Sequence, residues 1–409
     1  MIETIIIGGG AAGFMAAITA AESFPDTKVT ILEKNRTVLN KVRVSGGGRC
    51  NVTNAVASIA DLCNGYPRGA KFLRPLFQKF NNHDTIQWFE DRGVRLKAEP
   101  DGRIFPKSDD SQTIIDCLQN EAYRLKINVE TSVGVNKIEI IENGFELKLL
   151  NGSCILADKV IVASGGHPQQ TGYEWLTKLG IKTEAPVPSL FTFNVPNSTF
   201  HELSGVAVPN TKIKIAGTKL EDRGPMLFTH WGLSGPVVLR TSAWGAREMN
   251  QKKYEFTVLA NFSNFVSNEA ARVALSNFRT DIQWRQKLVH AHSVDGIPSR
   301  LWKTLVQLSE IPVETRWSDL PAKNLNRLAE NLTNFLFSVK DKTTFKEEFV
   351  TCGGVSLSEI NPETMESKNI KGLFFAGEIL DIDGITGGYN FQSAWTTGYI
   401  AGKNVLPNQ

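Results

Sequence analysis

Near the start of the chain, the apolar residues show first a strand pattern and then a helix pattern. Residues 4–7 are a continuous β-branched run that ends in glycines, a pattern typical of a parallel strand buried on both faces. Small residues such as Ala16 and Ala17 recur through 13–24, where the pattern predicts a helix that packs closely on a sheet. A second apolar run at 28–33 completes a predicted βαβ unit.

The next part of the chain alternates between helical and strand patterns. Helical spacing predicts helices over 71–91, with a break at 81–82, and over 112–126. Short strand patterns lie at 128–130, 134–141, 145–150 and 153–156. Further buried runs lie at 159–163 and 372–376.

The composition changes between these two buried runs. Residues 187–262 are rich in β-branched and aromatic residues with Pro and Gly turns, whereas 266–340 has helical periodicity. After 343 the strand and glycine pattern returns, which makes little sense as an isolated tail. We therefore predict an α/β fold whose Rossmann-like nucleotide-binding domain is split and interrupted. The predicted parts are the split domain at 1–188 and 343–409, a β-rich domain at 189–265 and a helical subdomain at 266–342.

The composition of the chain argues against several classes of protein and of binding partner. The 409 residues contain 45 basic and 42 acidic side chains, so the formal net charge of +3 argues against nucleic acid as the main partner. The five cysteines form no C-x-x-C pair, and neither a signal peptide nor a membrane span precedes them. These observations predict no disulfide framework, no zinc site, no membrane association and a reduced cytoplasmic setting. The histidines at 83, 167, 201, 290 and 292 show no metal-ligand spacing, and we interpret the pair 290/292 as a loop feature.

The glycines after the first strand predict a dinucleotide site. Gly8, Gly10 and Gly13 form G-x-G-x-x-G between a predicted strand and helix, which suits a tight turn, a close pyrophosphate and close helix–strand packing. Glu33 ends the second strand, where a carboxylate accepts hydrogen bonds from ribose hydroxyls and repels a 2′-phosphate.

FAD and NAD both fit this fingerprint. Only one G-x-G-x-x-G with a following acid is present, yet glycine segments recur at 45–48, 164–166 and 377–388. A long cofactor with two ring systems would use all of these segments, which favours FAD.

Several motifs resemble one family of flavoproteins along essentially the whole chain. They are GGGAAG, SGGGRCNVTN, FTHWGLSGP, GGV and GEILDIDGITGGYNFQSAW, in that order. The chain resembles the BaiN-like flavoproteins, a family that includes aminoacetone oxidase-type enzymes and the YhiN proteins. The resemblance implies a fold of the glutathione-reductase superfamily in its succinate-dehydrogenase-like branch, non-covalent FAD and an oxidoreductase activity.

The resemblance also implies which residues hold FAD. The N-terminal turn and Glu33 would hold the pyrophosphate and adenosine ribose, Val133 the adenine, and Asp381 or Glu378 the ribityl hydroxyls. The glycines after 386 would bring N–H groups and a helix N-terminus to the flavin O2/N1 edge, which raises its reduction potential. The full set is Gly8, Gly10, Ala11, Ala12, Gly13, Glu33, Lys34, Lys41, Ser45, Gly46, Gly47, Gly48, Arg49, Cys50, Asn51, Val133, Ala163, Ser164, Gly165, Gly377, Glu378, Asp381, Gly387, Gly388, Tyr389, Asn390 and Phe391.

The candidate catalytic residues are Arg49, Arg103, His230 and Tyr389. Arg49 either clamps a substrate carbonyl or carboxylate, or holds the FAD phosphates or a loop carboxylate. Arg103 either reaches the cleft or forms a structural ion pair, and His230 either moves a proton or supports its turn. We interpret Cys50 as a packing residue, because no partner cysteine lies near it in the sequence.

Two functions follow from these patterns. The first is an FAD-dependent oxidoreductase that acts on a small organic substrate by hydride transfer through flavin N5, with NAD(P)H or the substrate as reductant. Reductase and oxidase directions both stay open, as do the substrate and the oligomeric state. The alternative is a flavoprotein that acts on or binds RNA, of the tRNA-modification type, against which the near-neutral charge counts.

Overall fold

The computed structural model describes residues 2–196, 198–291, 294–344 and 350–406. The chain divides into two compact units. The first unit comprises Met1–Ser189 and Phe345–Gln409, and the second unit comprises Leu190–Thr344. The predicted boundary between a β-rich and a helical part, at 265/266, stays a prediction.

The described residues form strands, α-helices and short 3₁₀ turns along the whole chain. The strands are β1 Ile2–Ile7, β2 Thr27–Glu33, β3 Thr53–Asn54, β4 Leu96–Ala98, β5 Arg103–Pro106, β6 Asn128–Thr131, β7 Val135–Ile141, β8 Gly144–Leu149, β9 Cys154–Ala157, β10 Lys159–Val162, β11 Thr183–Ser189, β12 Thr192–Asn194, β13 Ala207–Ile215, β14 Glu221–Phe228, β15 Gly232–Ser234, β16 Glu255–Asn261, β17 Phe335–Lys340, β18 Lys342–Thr343, β19 Val350–Val355 and β20 Leu373–Phe375. The helices are α1 Ala11–Ser23, α2 Asn40–Gly48, α3 Ile59–Cys63, α4 Ala70–Phe77, α5 Asn82–Glu90, α6 Gln112–Arg124, α7 Glu174–Thr177, α8 Pro236–Trp244, α9 Ala246–Gln251, α10 Asn268–Thr280, α11 Ser299–Leu308, α12 Ala322–Thr333 and α13 Tyr389–Lys403. The 3₁₀ turns are Gln170–Tyr173, Thr199–Leu203, Val289–Ala291, Trp317–Asp319, Leu357–Glu359 and Gly377–Ile379.

A five-stranded parallel sheet organises the first unit, in the order β20-β10-β1-β2-β6. Strand β1 lies at its centre, with Ile5 opposite Val160 on one side and Thr30 on the other. Because both faces are covered, the strand is apolar at consecutive positions, as the N-terminal pattern predicted. The edge strand β20, which pairs with β10, comes from the C-terminal part of the chain.

Helix α1 packs against helix α13 through small residues. A Cβ atom at Gly402 would lie 2.4 Å from the Ala16 carbonyl oxygen, and one at Gly398 would lie 2.6 Å from that of Ala12. The two backbones therefore approach more closely than any larger side chain permits. This packing holds the start of α1 and the C-terminal helix in one core.

Three smaller sheets complete the first unit. They have the orders β3-β5-β4, β7-β8-β9 and β11-β19. The meander β7-β8-β9 lies where the sequence predicted hairpins, and its register places Ile138 opposite Leu147 on the buried face. Strand β3 follows the glycine segment 45–48 in the sequence. It pairs with β5 of the hairpin β4-β5.

The second unit contains an antiparallel seven-stranded sheet, β17-β16-β13-β14-β15-β12-β18. Helices α10, α11 and α12 lie where helical periodicity predicted them and share one hydrophobic cluster with this sheet. The helical expectation is wrong for Phe335–Lys340, which forms β17 because Phe337 and Val339 alternate with exposed positions. A helix, α8, lies within the segment predicted to be mostly β.

None of the described helices has both the length and the apolar character needed to cross a bilayer. Over the same residues, no group of His, Cys, Asp and Glu side chains has the arrangement of a metal site. His292 lies outside the described residues.

Candidate cofactor site

The turn between β1 and α1 is shaped by three glycines with different surroundings. A Cβ atom at Gly8, whose φ is +114°, would lie 2.4 Å from the Ala163 carbonyl oxygen, and one at Gly13 would lie 2.0 Å from the Gly8 carbonyl oxygen. Both positions therefore require glycine for packing alone. Gly10 differs, because a Cβ atom there would meet nothing within 4 Å. The space beside Gly10 is open at the helix N-terminus, where a pyrophosphate would bind.

The first turn of α1 offers backbone donors to this space. Among the described residues, the N–H groups of Gly10, Ala11, Ala12 and Gly13 donate to no protein acceptor. The positive end of the helix dipole lies at the same place. Backbone N–H groups without an acceptor, beside open space, form a binding site suited to an anionic group.

Glu33 ends β2 directly beside this turn. Its Oε2 accepts the Gly9 N–H at 2.8 Å, and its Oε1 accepts the Asn35 backbone N–H at 2.8 Å. These bonds fix the carboxylate, which is only 9% exposed. Val133 donates its N–H to the Glu33 carbonyl oxygen at 2.9 Å, and Lys34 is exposed next to it. The structure thus brings together the three residues predicted around the adenosine.

The glycine segment after Ser45 leaves the helical conformation of α2. Gly46, Gly47 and Gly48 have φ values of +59°, +70° and +84°, and Cβ atoms at the last two would meet nothing within 4 Å. Ser45 closes the turn, because its Oγ donates to the Val42 carbonyl oxygen and its own carbonyl oxygen accepts the Cys50 N–H at 3.0 Å. The segment is therefore an open, glycine-lined loop, as the sequence predicted.

Arg49 and Arg103 are tied to one carboxylate. Arg49 Nη1 lies 2.6 Å from Glu99 Oε1, and Arg103 Nη2 lies 2.8 Å from Glu99 Oε2. The Arg49 guanidinium also stacks 4.0 Å from the centroid of the Phe105 ring, and Arg103 pairs with Asp101. Of the two roles considered for Arg49, this geometry favours holding a loop carboxylate. It likewise favours a structural ion pair for Arg103.

Cys50 is fully buried, with a left-handed backbone at φ +62°. Burial raises the pKa of its thiol to about 12, against a smaller lowering by a hydrogen bond with Ser45. The thiolate is the reactive form of cysteine, so this side chain is unreactive near neutral pH.

We expect Cys50 to resist alkylation by iodoacetamide at mildly alkaline pH, whereas the exposed Cys154 reacts. Peptide mass spectrometry of the native protein measures both sites at once, and denatured protein serves as the control. Cys50→Ser should also purify yellow and keep its flavin reduction rate. A variant that keeps flavin but loses turnover would contradict a packing role.

Asn51 and its neighbours hold the C-terminal glycine loop, a role that the sequence did not suggest. In the orientation that satisfies its amide, Asn51 Oδ1 accepts the Gly388 N–H at 2.9 Å. Asn54 Nδ2 donates to the Gly387 carbonyl oxygen at 3.0 Å, and Thr53 Oγ1 donates to Gln392 Oε1 at 2.6 Å. The motif SGGGRCNVTN thus contains an open glycine loop, and its last residues also hold the C-terminal glycine loop in place.

The second loop, 383–390, is also held from within and from the chain around 65–68. Asn390 bonds both backbone groups of Gly384, and the Tyr66 hydroxyl donates to the Tyr389 carbonyl oxygen at 2.7 Å. Tyr389 is 8% exposed and its ring meets Tyr66 edge-on, while Phe391 stacks on Trp395. The backbone N–H groups of Asn390 and Phe391, at the start of α13, donate to no acceptor within the described part of the chain. These donors suit the flavin O2/N1 edge.

Asp383 anchors this loop in the interior. Its carboxylate is fully buried, accepts from Arg68 Nε at 2.5 Å and accepts from Ser189 Oγ at 2.6 Å. Burial raises the pKa of Asp383, and the Arg68 guanidinium opposes that rise. The one signal for it in the sequence is a charged residue inside the apolar run ILDIDGI.

The remaining predicted residues lie at the ends of β10 and β20. Ala163 donates its N–H to the Ile7 carbonyl oxygen, Ser164 is exposed, and a Cβ atom at Gly165 would meet nothing within 4 Å. Gly377 approaches Ala12, since a Cβ atom there would lie 2.7 Å from that of Ala12. These strand ends therefore lie beside the N-terminal turn.

The two predicted acids after β20 have different partners. Glu378 Oε1 accepts the Thr351 N–H at 3.0 Å, and its Oε2 lies 2.5 Å from Lys41 Nζ. Asp381 is half-buried and donates its N–H to the Val355 carbonyl oxygen. Lys41 and Glu378, both predicted to contact the cofactor, are thus brought together as an ion pair.

His230 lies in the second unit, exposed in the turn between β14 and β15. The Thr229 hydroxyl and backbone close that turn onto Gly232. A role for His230 in proton transfer stays a prediction.

The chain matches one protein family over nearly its whole length. The match, to the family described as HI0933-like protein Rossmann domain, covers residues 2–404. This chain belongs to the HI0933-like family. It is 32% identical over 407 residues to a 3-dehydro-bile acid delta(4,6)-reductase of Clostridium scindens, covering 97% of each chain. It is 29% identical over 415 residues to a ribosomal RNA dihydrouridine synthase of Escherichia coli, covering 99% of this chain and 98% of that one.

Solved structures share the fold at low sequence identity. The 3-ketosteroid-delta4-(5alpha)-dehydrogenase of Rhodococcus jostii RHA1 superposes with a TM-score of 0.52 at 13% identity, covering 99% of this chain and 97% of that one. The predicted family and the predicted Rossmann-type FAD-binding fold are confirmed by these matches. The relative at 32% identity is a reductase, which supports an oxidoreductase activity for this HI0933-like chain.

The residues of the first unit fit FAD. Open space lies beside Gly10, Gly47, Gly48 and Gly165, and orphan N–H groups lie at the starts of α1 and α13. Glu33 supplies a fixed carboxylate beside the turn between β1 and α1, where an adenosine ribose would be held. A long dinucleotide uses all of these features, whereas an unliganded turn requires none of them.

Proposed function

We propose that the protein is an FAD-dependent reductase of a carbon–carbon double bond conjugated to a carbonyl group in a small organic substrate. The observation that carries the proposal is the full-length likeness to two relatives whose named reactions share this chemistry. A delta(4,6)-reductase of a 3-dehydro bile acid reduces an enone, and dihydrouridine synthesis reduces the double bond beside a uracil carbonyl. We further propose that NAD(P)H is the transient reductant and that the protein works in the reduced cytoplasm, which its five free cysteines support.

Each part of the site has a role in this proposal. FAD, when bound and reduced, supplies a hydride from N5 to the substrate carbon. The turn from Gly10 to Gly13 holds the pyrophosphate, and Glu33 holds the adenosine ribose. The N–H groups of Asn390 and Phe391 hold the flavin edge where negative charge increases on reduction. His230 is the candidate proton donor, with Tyr389 as the alternative.

Anaerobic flavin reduction tests the proposal. We expect NADH or NADPH to bleach the bound yellow flavin, and an α,β-unsaturated ketone to restore the colour faster than a saturated ketone does. The His230→Gln variant should be reduced at the normal rate and reoxidised slowly by the ketone. If no donor bleaches the flavin, the oxidoreductase proposal fails. If oxygen alone restores the colour, the protein is an oxidase.

A second candidate is the reduction of uridine in RNA. The distribution of charge between the two units favours this candidate. The second unit carries 19 basic and 13 acidic residues, a net charge of +6. The rest of the chain carries 26 basic and 29 acidic residues, a net charge of −3. The whole-chain net charge of +3 is therefore the sum of two units of opposite sign. The test is the mass gain of two hydrogens in ribosomal RNA transcripts incubated with the protein and NAD(P)H.

A further inference from the structure

The second unit carries its basic side chains in one structured turn as well as in scattered positions. Residues 279–290 run beside 315–318, and we call these two segments the basic turn. The Lys287 carbonyl oxygen accepts the Trp317 N–H at 3.1 Å, and that of Arg285 accepts the Ser318 N–H at 2.9 Å. Leu288 and Arg316 form an antiparallel bridge. The turn is thus a fixed surface.

Four cations lie on the basic turn: Arg279, Arg285, Lys287 and Arg316. Within the described residues, none of the four has a carboxylate within 4.0 Å, and Arg316 bonds the neutral Gln286 amide instead. By contrast, four other cations of this unit are paired: Lys212 with Glu221, Arg240 with Asp222, Arg272 with Glu269 and Arg327 with Glu310. The basic turn therefore keeps uncompensated positive charge.

Two carboxylates lie on or next to the basic turn, Asp281 in its first segment and Asp319 directly after its second, and each has a local partner. Asp281 Oδ1 accepts the Gln283 N–H at 2.7 Å and closes the start of the turn. Asp319 Oδ1 accepts the Ser318 hydroxyl at 3.0 Å. With both acids counted, the net charge of the turn stays positive.

Trp284 lies in the first segment of the basic turn and is half-buried. Lys287 Nζ lies 4.2 Å from the centroid of the Trp284 ring, and the Phe278 ring packs at 5.3 Å from it. Phe278 in turn packs at 4.9 Å on the fully buried Trp317. The indole is therefore a supported platform, and Ile282 beside it is 85% exposed. Cations around a supported aromatic ring are the arrangement that binds single-stranded nucleic acid.

We infer that the basic turn is a docking surface for single-stranded RNA. The cations contact phosphates, and Trp284 stacks on a base. The inference rests on the second candidate function, because an enzyme that reduces uridine in RNA must hold an unpaired strand. It concerns the second unit alone, so it does not depend on how the flavin is reduced.

The test uses the full FAD-bound chain and a fluorescently labelled single-stranded RNA containing uridine. Binding is followed by anisotropy between about 50 and 200 mM salt. Arg285→Glu/Lys287→Glu should weaken binding and lower the salt slope by about 1.4, the value for two lost phosphate contacts on a single strand. The matched control Lys214→Glu/Lys219→Glu makes the same charge change on exposed positions around the β13–β14 hairpin and should bind nearly as the wild type does.

Substitutions at Trp284 test the proposed base stacking without changing the charge of the protein. Trp284→Ala should weaken RNA binding about tenfold through lost base stacking, and Trp284→Phe should restore most of it. All variants should keep bound FAD and its reduction rate, which separates this inference from the reductase proposal. The inference is overturned if the wild type does not bind RNA at low salt, or if the control variant loses as much affinity as the basic-turn variant. Binding to anionic lipid vesicles without binding to RNA would also overturn it.

Discussion

Replacing Gly10 by valine should strip FAD from the protein while leaving the fold intact. The Gly10 backbone, at φ −95° and ψ −170°, accepts any side chain, and a Cβ atom there meets no protein atom within 4 Å. The valine would instead occupy the space assigned to the pyrophosphate. Overpacking of about 3 kcal/mol would weaken binding about 150-fold. Flavin absorbance per protein and fluorescence titration with FAD measure the loss.

Gly13→Ala is the matched comparison for this result. Its Cβ atom would lie 2.0 Å from the Gly8 carbonyl oxygen, so α1 must shift away from β1. We expect this variant to lose both FAD and thermal stability, whereas Gly10→Val keeps the melting temperature of the wild-type apoprotein. A yellow Gly10→Val protein with full flavin content would show that the pyrophosphate lies elsewhere.

Replacing Asp383 by asparagine should destabilise the first unit by about 3–5 kcal/mol, the usual cost of removing one partner of a buried ion pair. The fully buried carboxylate balances the Arg68 guanidinium, whose side chain is 14% exposed, and asparagine removes that charge without changing the shape. The loop 383–390 loses its anchor in the same step, so FAD retention should fall as well. Chemical denaturation followed by circular dichroism measures the free energy of unfolding.

Ser189→Ala is the control for Asp383→Asn. It removes one hydroxyl hydrogen bond to the same carboxylate, worth about 1.5–3 kcal/mol because the acceptor is charged, and leaves the ion pair in place. An equal loss in both variants would mean that the charge on Asp383 contributes nothing beyond hydrogen bonding.

The dinucleotide turn was predictable because its parts are close together in the sequence. Gly8, Gly10 and Gly13 belong to one strand–turn–helix unit, and Glu33 ends the next strand. Backbone conformation and strand periodicity are local properties, so spacing alone predicts them. The same holds for the glycines at 46–48, whose positive φ values follow from residue type.

The contacts that hold the C-terminal glycine loop were not predictable in this way. Asn54 meets Gly387 across 333 positions of sequence, and Arg68 meets Asp383 across 315. No periodicity relates such pairs, because the parallel sheet brings both ends of the chain together. A buried charge in an apolar run is the one local sign of the second pair.

By itself, the sequence determined the family, the glycine turn and the first βαβ unit, because these depend on neighbouring residues. Only the tertiary structure decided what the side chains beside that turn do. It paired Arg49 with Glu99, enclosed Cys50, and placed Asn51 under the Gly388 N–H. It also divided a nearly neutral chain into a basic and an acidic unit. Contacts and charge distributions depend on which distant segments meet, and that is decided by packing of the whole chain.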